Sequence, residues 1–218
     1  MNLKYTTIID LSMPVTTQTP IYPGDPKPEV TPSATIEGEG YNVSHLHMGS
    51  HTGTHIDAPY HFRKEGKKLD EIPLSTFAGE GVVLDVTGKG EGESITLNDI
   101  LPYSARLAPN KIALIYTGWD KYREDEKYYR HPYISEEAVV FMLEKGIRVF
   151  FIDALNIDVP DGSSFKGHEL ITEVNGIIGE NFANFHLIDF ENPFVMALPL
   201  PFPGLDGSPV RAVALKAE

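Results

Sequence analysis

His51-Thr-Gly-Thr-His55-Ile-Asp57-Ala-Pro-Tyr-His61 places three histidines and an aspartate within eleven residues. An extended backbone sends alternate side chains to opposite faces. His51, His55, Asp57 and His61 are spaced by even numbers, so an extended path aims all four the same way. Imidazole nitrogen and carboxylate oxygen are the donors that zinc and manganese take. The stretch therefore predicts an extended metal-binding segment with one histidine to spare. A helix is the competing reading, because His47, His51 and His55 recur every four residues. Gly49, Ser50, Thr52, Gly53 and Thr54 surround them, and glycine and β-branched threonine are poor helix formers. Pro59 also biases Ala58 away from helical angles. His168-Glu169 opens like the H-E-x-x-H zinc motif, but Thr172 stands where the second histidine is needed.

Outward from this motif, runs rich in valine and isoleucine and bounded by glycine or proline predict strands at 6–11, 43–48, 81–86, 111–116, 148–152, 194–198 and 210–215. Helices are fewer. Ser135 caps one that runs through Glu144, with Glu136 and Glu137 in its first turn and Gly146 just past its end. Leu97–Leu107 is a second, capped by Thr96 and faulted by Pro102, and Gly167–Val174 is a short third. Thr19–Pro32 is rich in proline and reads as an ordered loop lining a site. The mixture predicts an α/β or α+β fold, strand-rich with a few covering helices, as one domain over residues 1–218.

Composition narrows the function. The net charge of −13 argues against nucleic acid and against anionic membrane surfaces. No cysteine is present, which excludes disulfides, thiolate ligands and a cysteine nucleophile. The opening MNLKYTTIIDLS lacks the apolar core of a signal peptide, and no run of about 18 apolar residues exists, so a cytoplasmic location is expected. No G-x-S-x-G elbow or phosphate-binding loop occurs, and Gly162-Ser163-Ser164 reads as a turn.

The remaining candidates are weaker alone. His168 and Glu180 sit twelve residues apart and, taken by themselves, read as solvated surface residues. They matter because a second ion would need a further histidine and a carboxylate able to bridge, and Asp57 can bridge as well. Tyr22 lies in the proline-rich loop before Pro23-Gly24-Asp25, where a large aromatic side chain can wall a substrate pocket or simply pack. His45 and His47 receive no role, and His131 and His186 read as structural.

The gapless H-x-G-T-H-x-D-x-P-x-H motif from His51 to His61 resembles the hallmark of the metal-dependent cyclase-like hydrolases, which include bacterial kynurenine formamidase (arylformamidase). Ile9-Asp10-Leu11-Ser12, Tyr22-Pro-Gly-Asp25, Thr117-Gly118-Trp119, Ile152-Asp153-Ala154 and Gly207-Ser208-Pro209-Val210-Arg211 resemble further landmarks of that family in the same order, so the resemblance spans nearly the whole chain. It implies a swivelling β/β/α domain, assembly as a dimer or tetramer, and two divalent ions, zinc or manganese. It implies that His51, His55 and Asp57 hold the first ion, that Asp57 bridges to a second ion held by His168, with Glu180 as the bridging glutamate, and that His61 is catalytic. The implied reaction is hydrolysis of an amide-type C–N bond, with N-formyl-kynurenine as substrate. One departure stands out: kynurenine formamidases usually carry tryptophan where this chain has Tyr22. A cyclic amide such as isatin, or a lactone, is the alternative substrate within the family. A metal-binding protein without turnover is the alternative outside it.

Overall fold

The short segment His55–Asp57 sits at the seam of the main sheet. The computed structural model describes residues 4–217. In chain order the strands are β1 (Tyr5–Asp10), β2 (Glu29–Ala34), β3 (Val43–His47), β4 (His55–Asp57), β5 (Ala78–Asp85), β6 (Ser94–Ile95), β7 (Ile112–Tyr116), β8 (Tyr133–Ile134), β9 (Val149–Ile152), β10 (Ile177–Glu180), β11 (Phe194–Pro199) and β12 (Gly207–Ala217). The helices are α1 (Ile36–Glu39), α2 (Leu97–Ile100), α3 (Glu136–Glu144) and α4 (Lys166–Glu173). Eight strands form one sheet in the order β1-β12-β11-β5-β7-β9-β10-β4, and β12 also pairs with β4. That last pairing closes the sheet from β12 round to β4 into a ring. The β5, β7, β9 and β10 strands run parallel to one another, and the other pairings of the main sheet are antiparallel. Parallel neighbours need crossover connections, and these carry α2, α3 and α4 in turn.

Alternation along the parallel strands divides the core in two. Val82, Leu84, Ala113, Ile115, Phe150 and Ile152 face α3, packing with its Val139 and Met142. Ile112, Leu114, Val149 and Phe151 face the other way, with Phe77, Phe182 and Val195. Strands buried on both faces read as continuous apolar runs, which is why these segments were legible. The α3 helix matches its expected bounds: Ser135 accepts from the Ala138 N–H as N-cap, and Gly146 takes the left-handed φ of +90°.

Three expectations need correction. The proline-rich segment is a loop only as far as Pro28; Glu29–Ala34 is β2, paired with β3 in a two-stranded ribbon. Pro32 is tolerated because that ribbon has a free edge and its register shifts between Pro32 and Ala34. The helix expected over Leu97–Leu107 ends at Ile100 and tightens into a 3₁₀ turn over Leu101–Tyr103, since Pro102 cannot supply the helical N–H. The β10 strand was not anticipated, because Ile177–Glu180 is too short and has Gly179 within it.

That glycine is a packing requirement. A Cβ on Gly179 would lie 2.5 Å from the Phe151 ring and 2.7 Å from that of Phe182, two rings stacked 4.4 Å apart. Gly179→Ala is expected to cost about 1–3 kcal/mol, read as a lower urea midpoint at unchanged slope. Stability equal to the wild type would show that this wall yields freely.

Candidate metal centre

Strand register assembles the first donors. His55 and Asp57 are two residues apart on β4 and share a face. Glu180 stands opposite His55 in the antiparallel β10, so it shares that face too. His55 Nε2 lies 3.2 Å from Asp57 Oδ1 and 3.7 Å from Glu180 Oε2. His168 comes from α4, and its Nε2 is 3.5 Å from both Asp57 Oδ2 and Glu180 Oε1. His51 arrives on the preceding turn, with Nδ1 2.6 Å from Asp57 Oδ1. The His61 ring lies 4.1 Å from that of His51, centroid to centroid.

The six residues singled out in the sequence therefore meet, but not along one extended path. Only His55–Asp57 is strand. Gly53, at φ +65°, turns the chain between His51 and His55, and Pro59 starts the 3₁₀ turn that carries His61. Proline is favoured at such a first position because its missing N–H would be unpaired there anyway. The surface reading of His168 and Glu180 is overturned: both are buried, along with His55 and Asp57. His186 is exposed rather than structural, while His131 is buried and its pKa is pushed down to about 4 by desolvation.

Each imidazole is held from behind. His55 Nδ1 donates to the Gly53 carbonyl at 2.7 Å. His168 Nδ1 donates to Asp158 Oδ2 at 2.7 Å, and the same carboxylate accepts from the Gly167 and His168 N–H groups at the start of α4. A Cβ on Gly167 would meet Asp158 Oδ1 at 2.8 Å, so the glycine permits this approach. Asp206 Oδ2 lies 2.9 Å from His51 Nε2 and 3.3 Å from His61 Nδ1. Such outer partners fix the ring orientation of metal-binding histidines. Sequence reading missed Asp158 and Asp206. Asp206 directly precedes the Gly207–Arg211 landmark, which was the available signal, and β12 brings it in by setting Gly207 opposite Asp57. Asp158 has no periodic relation to His168 that could have exposed it.

The electrostatics are those of closely packed acidic and imidazole groups that shift one another's protonation. Burial opposes charge on His51, but Asp57 and Asp206 more than offset it and hold its pKa up to about 10. Burial likewise opposes charge on His168, and Asp158, Asp57 and Glu180 raise it to about 10. Burial and the neighbouring Asp57 carboxylate push Glu180 up, while His55 and His51 outweigh burial and hold Asp57 well down. Hydrogen bonds from His51 and His61 keep Asp206 below the usual carboxylate range. Among the described residues, Asp57 Oδ2 is the buried side-chain oxygen without a hydrogen-bond partner. Such an orphan needs an explanation. Within 4.8 Å, ligand atoms of His51, His55 and Asp57 group together, as do those of Asp57, His168 and Glu180. Imidazoles and carboxylates in that combination suit zinc or manganese, and Asp57, which carries the orphaned oxygen, is common to both groups.

The cluster floors a cavity of about 260 Å³. Tyr22, Phe62 and Phe165 form its apolar walls. Phe62 stacks on His168 at 4.4 Å, and Tyr22 meets Phe165 at 6.4 Å. Asp25, Asn156 and Asn181 add polar groups.

Ligand imidazoles must be neutral, whereas the raised pKa values leave His51 and His168 charged at pH 7. Zinc binding by the metal-free chain is therefore expected to release protons from both imidazoles and from the raised Glu180 carboxyl, about three in all at pH 7, and to tighten as pH rises towards 10. Calorimetry in buffers of different ionisation enthalpy checks this; binding without proton release would place the ion elsewhere.

The Cyclase family, described as "Putative cyclase", matches residues 9–159 of the chain. The chain is 31% identical over 217 residues to the kynurenine formamidase of Bacillus mycoides strain KBAB4, covering 97% of this chain and 98% of that one. It is 32% identical, with the same coverage, to the kynurenine formamidase of Bacillus cereus strain ATCC 10987. Among solved structures, an isatin hydrolase bound to the product analogue thioisatinate superposes with a TM-score of 0.90 at 21% identity, over 97% of this chain and 92% of that one. A predicted metal-dependent hydrolase from Bacillus stearothermophilus superposes with a TM-score of 0.78 at 27% identity, over 96% and 98% of the two chains. The mixed α/β, strand-rich architecture is shared with these structures. With the matched segment running from β1 through the His51–His61 motif and β9, this chain belongs to the cyclase family.

Proposed function

We propose that the chain is a metal-dependent amidohydrolase that cleaves the C–N bond of an N-formyl arylamine, with N-formyl-kynurenine as the substrate and kynurenine and formate as products. The observation that carries this reading is the convergence of His51, His55, Asp57, His168 and Glu180 at the floor of an aromatic-walled cavity, with His61 beside them. His51, His55 and Asp57 would hold one divalent ion, and Asp57, His168 and Glu180 a second, zinc or manganese. Bound there, such ions supply an acidified water and polarise the substrate carbonyl.

The side chains do the rest. The carboxylate of Asp206 faces His61 Nδ1 at 3.3 Å, which turns Nε2 of that ring towards the substrate as the proton-accepting atom. His61 Nε2 takes a proton from the attacking water and returns it to the departing nitrogen. An aryl amine is a better leaving group than an alkyl amine, so one well-placed acid suffices. Tyr22, Phe62 and Phe165 offer flat faces to an aryl ring and exclude water around the reacting bond. Tyr22 provides that face where tryptophan is usual in kynurenine formamidases.

The proposal extends to assembly as a homo-oligomer, a dimer or tetramer. The ribbon formed by β2 and β3 exposes Val30 and Leu46 opposite one another. A lone two-stranded ribbon is marginal in water. The accessible surface of the chain is 11,077 Å², whereas a compact monomer of 24.2 kDa exposes about 10,000 Å². The excess is of the order that one partner contributes to a standard interface. No helix among the described residues is long and apolar enough to cross a membrane, which is consistent with the proposed cytoplasmic location.

Chelator-stripped protein is expected to hydrolyse N-formyl-kynurenine only after zinc or manganese is restored, in a panel that includes isatin and simple lactones. His61→Ala should keep its metal and lose about 10²–10⁴-fold in turnover; full activity removes His61 from the chemistry. His55→Ala should lose metal, and retention of two ions refutes the ligand assignment. Leu46→Asp is expected to shift sedimentation towards the monomer, and an unchanged profile excludes the ribbon as an interface.

A further inference from the structure

We infer that Asn156 and Asn181 form a carbonyl-recognition site, selecting aryl amides that carry a second carbonyl oxygen besides the one hydrolysed. The inference rests on the amidohydrolase reading above and adds the feature of the substrate that the cavity selects. Both residues are almost wholly buried, at 7% and 2% exposure, yet both line the cavity. In each, the oxygen end of the amide is already committed. Asn156 Oδ1 accepts the Asp158 N–H at 2.6 Å, and Asn181 Oδ1 accepts the Tyr128 hydroxyl at 2.8 Å. Neither amide nitrogen donates to a protein atom. Asp57 Oδ2 is the sole buried side-chain N or O atom among the described residues that lacks a partner, so neither nitrogen is sealed away from solvent. In residues this deeply enclosed, the space left to those nitrogens is the cavity itself.

Their surroundings hold both amides rigidly. Asn181 has its N–H bonded to the Ala154 carbonyl and its own carbonyl to the Thr54 hydroxyl, at a left-handed φ of +57°. Asparagine adopts that conformation more readily than most residues. Tyr128, the group behind it, is fully buried. Asn156 sits directly before Ile157, whose N–H donates to Glu180 Oε1 at 2.9 Å. Asn156, Asn181 and Glu180 thus line the same cavity.

Charge selects the ligand chemistry. No lysine or arginine lines the cavity, so away from the histidine and carboxylate cluster on its floor the polar groups that Asn156 and Asn181 offer are uncharged. Two neutral N–H donors suit a neutral acceptor, and an aryl ketone or a ring carbonyl next to the scissile nitrogen supplies one. An unfilled donor in so enclosed a place loses its water without compensation when an aryl group without that carbonyl binds.

The test compares N-(2-acetylphenyl)formamide, which has the second carbonyl, with formanilide, which lacks it. Asn156→Asp and Asn181→Asp keep the accepting oxygens and exchange the N–H donors for a second oxygen and a charge; Asn156→Ser removes the amide nitrogen at position 156 without adding charge. Each substitution is expected to lower the ratio of kcat/KM for the two formamides about tenfold, at unchanged zinc content. Equal losses on both compounds would assign the amides to the scissile centre and overturn the inference, as would no loss on either. Equilibrium dialysis of 2-aminoacetophenone against aniline needs no turnover, so it decides the question even if the wild type cleaves neither formamide and the amidohydrolase reading fails. Preference for the ketone, lost in the variants, supports the site, and equal retention of both amines refutes it.

Discussion

The pairing of the three-residue strand β4 with β10 on one side and β12 on the other is the constraint on which the rest of the molecule depends. A strand of that length has little stability of its own. Bonded on both flanks, it closes the ring of strands and fixes three donors at once. Glu180 is set opposite His55, and Gly207 opposite Asp57, which brings Asp206 to the edge of the site. A slip by one residue would send His55 and Asp57 to the other face of the sheet. The neighbouring glycines follow from the same crowding. Gly179 accepts two phenylalanine rings, and a Cβ on Gly207 would lie 2.8 Å from the His51 ring.

The site lies at the carboxyl ends of the parallel strands, where crossover connections leave open space in α/β sheets. The β9 strand ends at Ile152, and the loop after it supplies both Asn156 and Asp158 before α4 delivers His168. One segment thus orients a donor, bonds the Glu180 carboxylate and lines the cavity. The burial of so many acidic and imidazole groups would be costly unless mutually compensated, and the opposed shifts of Asp57 and Glu180 express that strain. Cations bound there would relieve it, which would tie the stability of this region to its chemistry.

Several distant landmarks prove to be contacts. The Asp10 carboxylate takes two bonds from Arg211, at 2.8 and 2.7 Å, joining the first and last landmarks across β1 and β12. Asp153 accepts from the Thr117 N–H, the Thr117 hydroxyl and the Gly118 N–H, joining two others behind the site. Tyr22 and Asp25 close a tight turn through the Asp25 N–H and the Tyr22 carbonyl, with Gly24 at φ +105°.

The sequence by itself determined the kind of site and most of the strands. The spacing of His51, His55, Asp57 and His61 announced a cluster of imidazole and carboxylate donors because they lie close in the chain. The apolar runs at 111–116 and 148–152 announced buried strands because burial on both faces leaves a continuous signature. Ser135 and Gly146 announced α3 through local capping chemistry. Only the tertiary structure decided what depends on separation. His168 and Glu180 looked like solvated residues until α4 and β10 buried them against Asp57. Asp158, Asn156 and Asn181 carried no local pattern, and Asp206 only its place just before the Gly207–Arg211 landmark. Their roles arise from strand register and from which end of an amide or carboxylate is already bonded, and neither is written in the spacing of a linear chain.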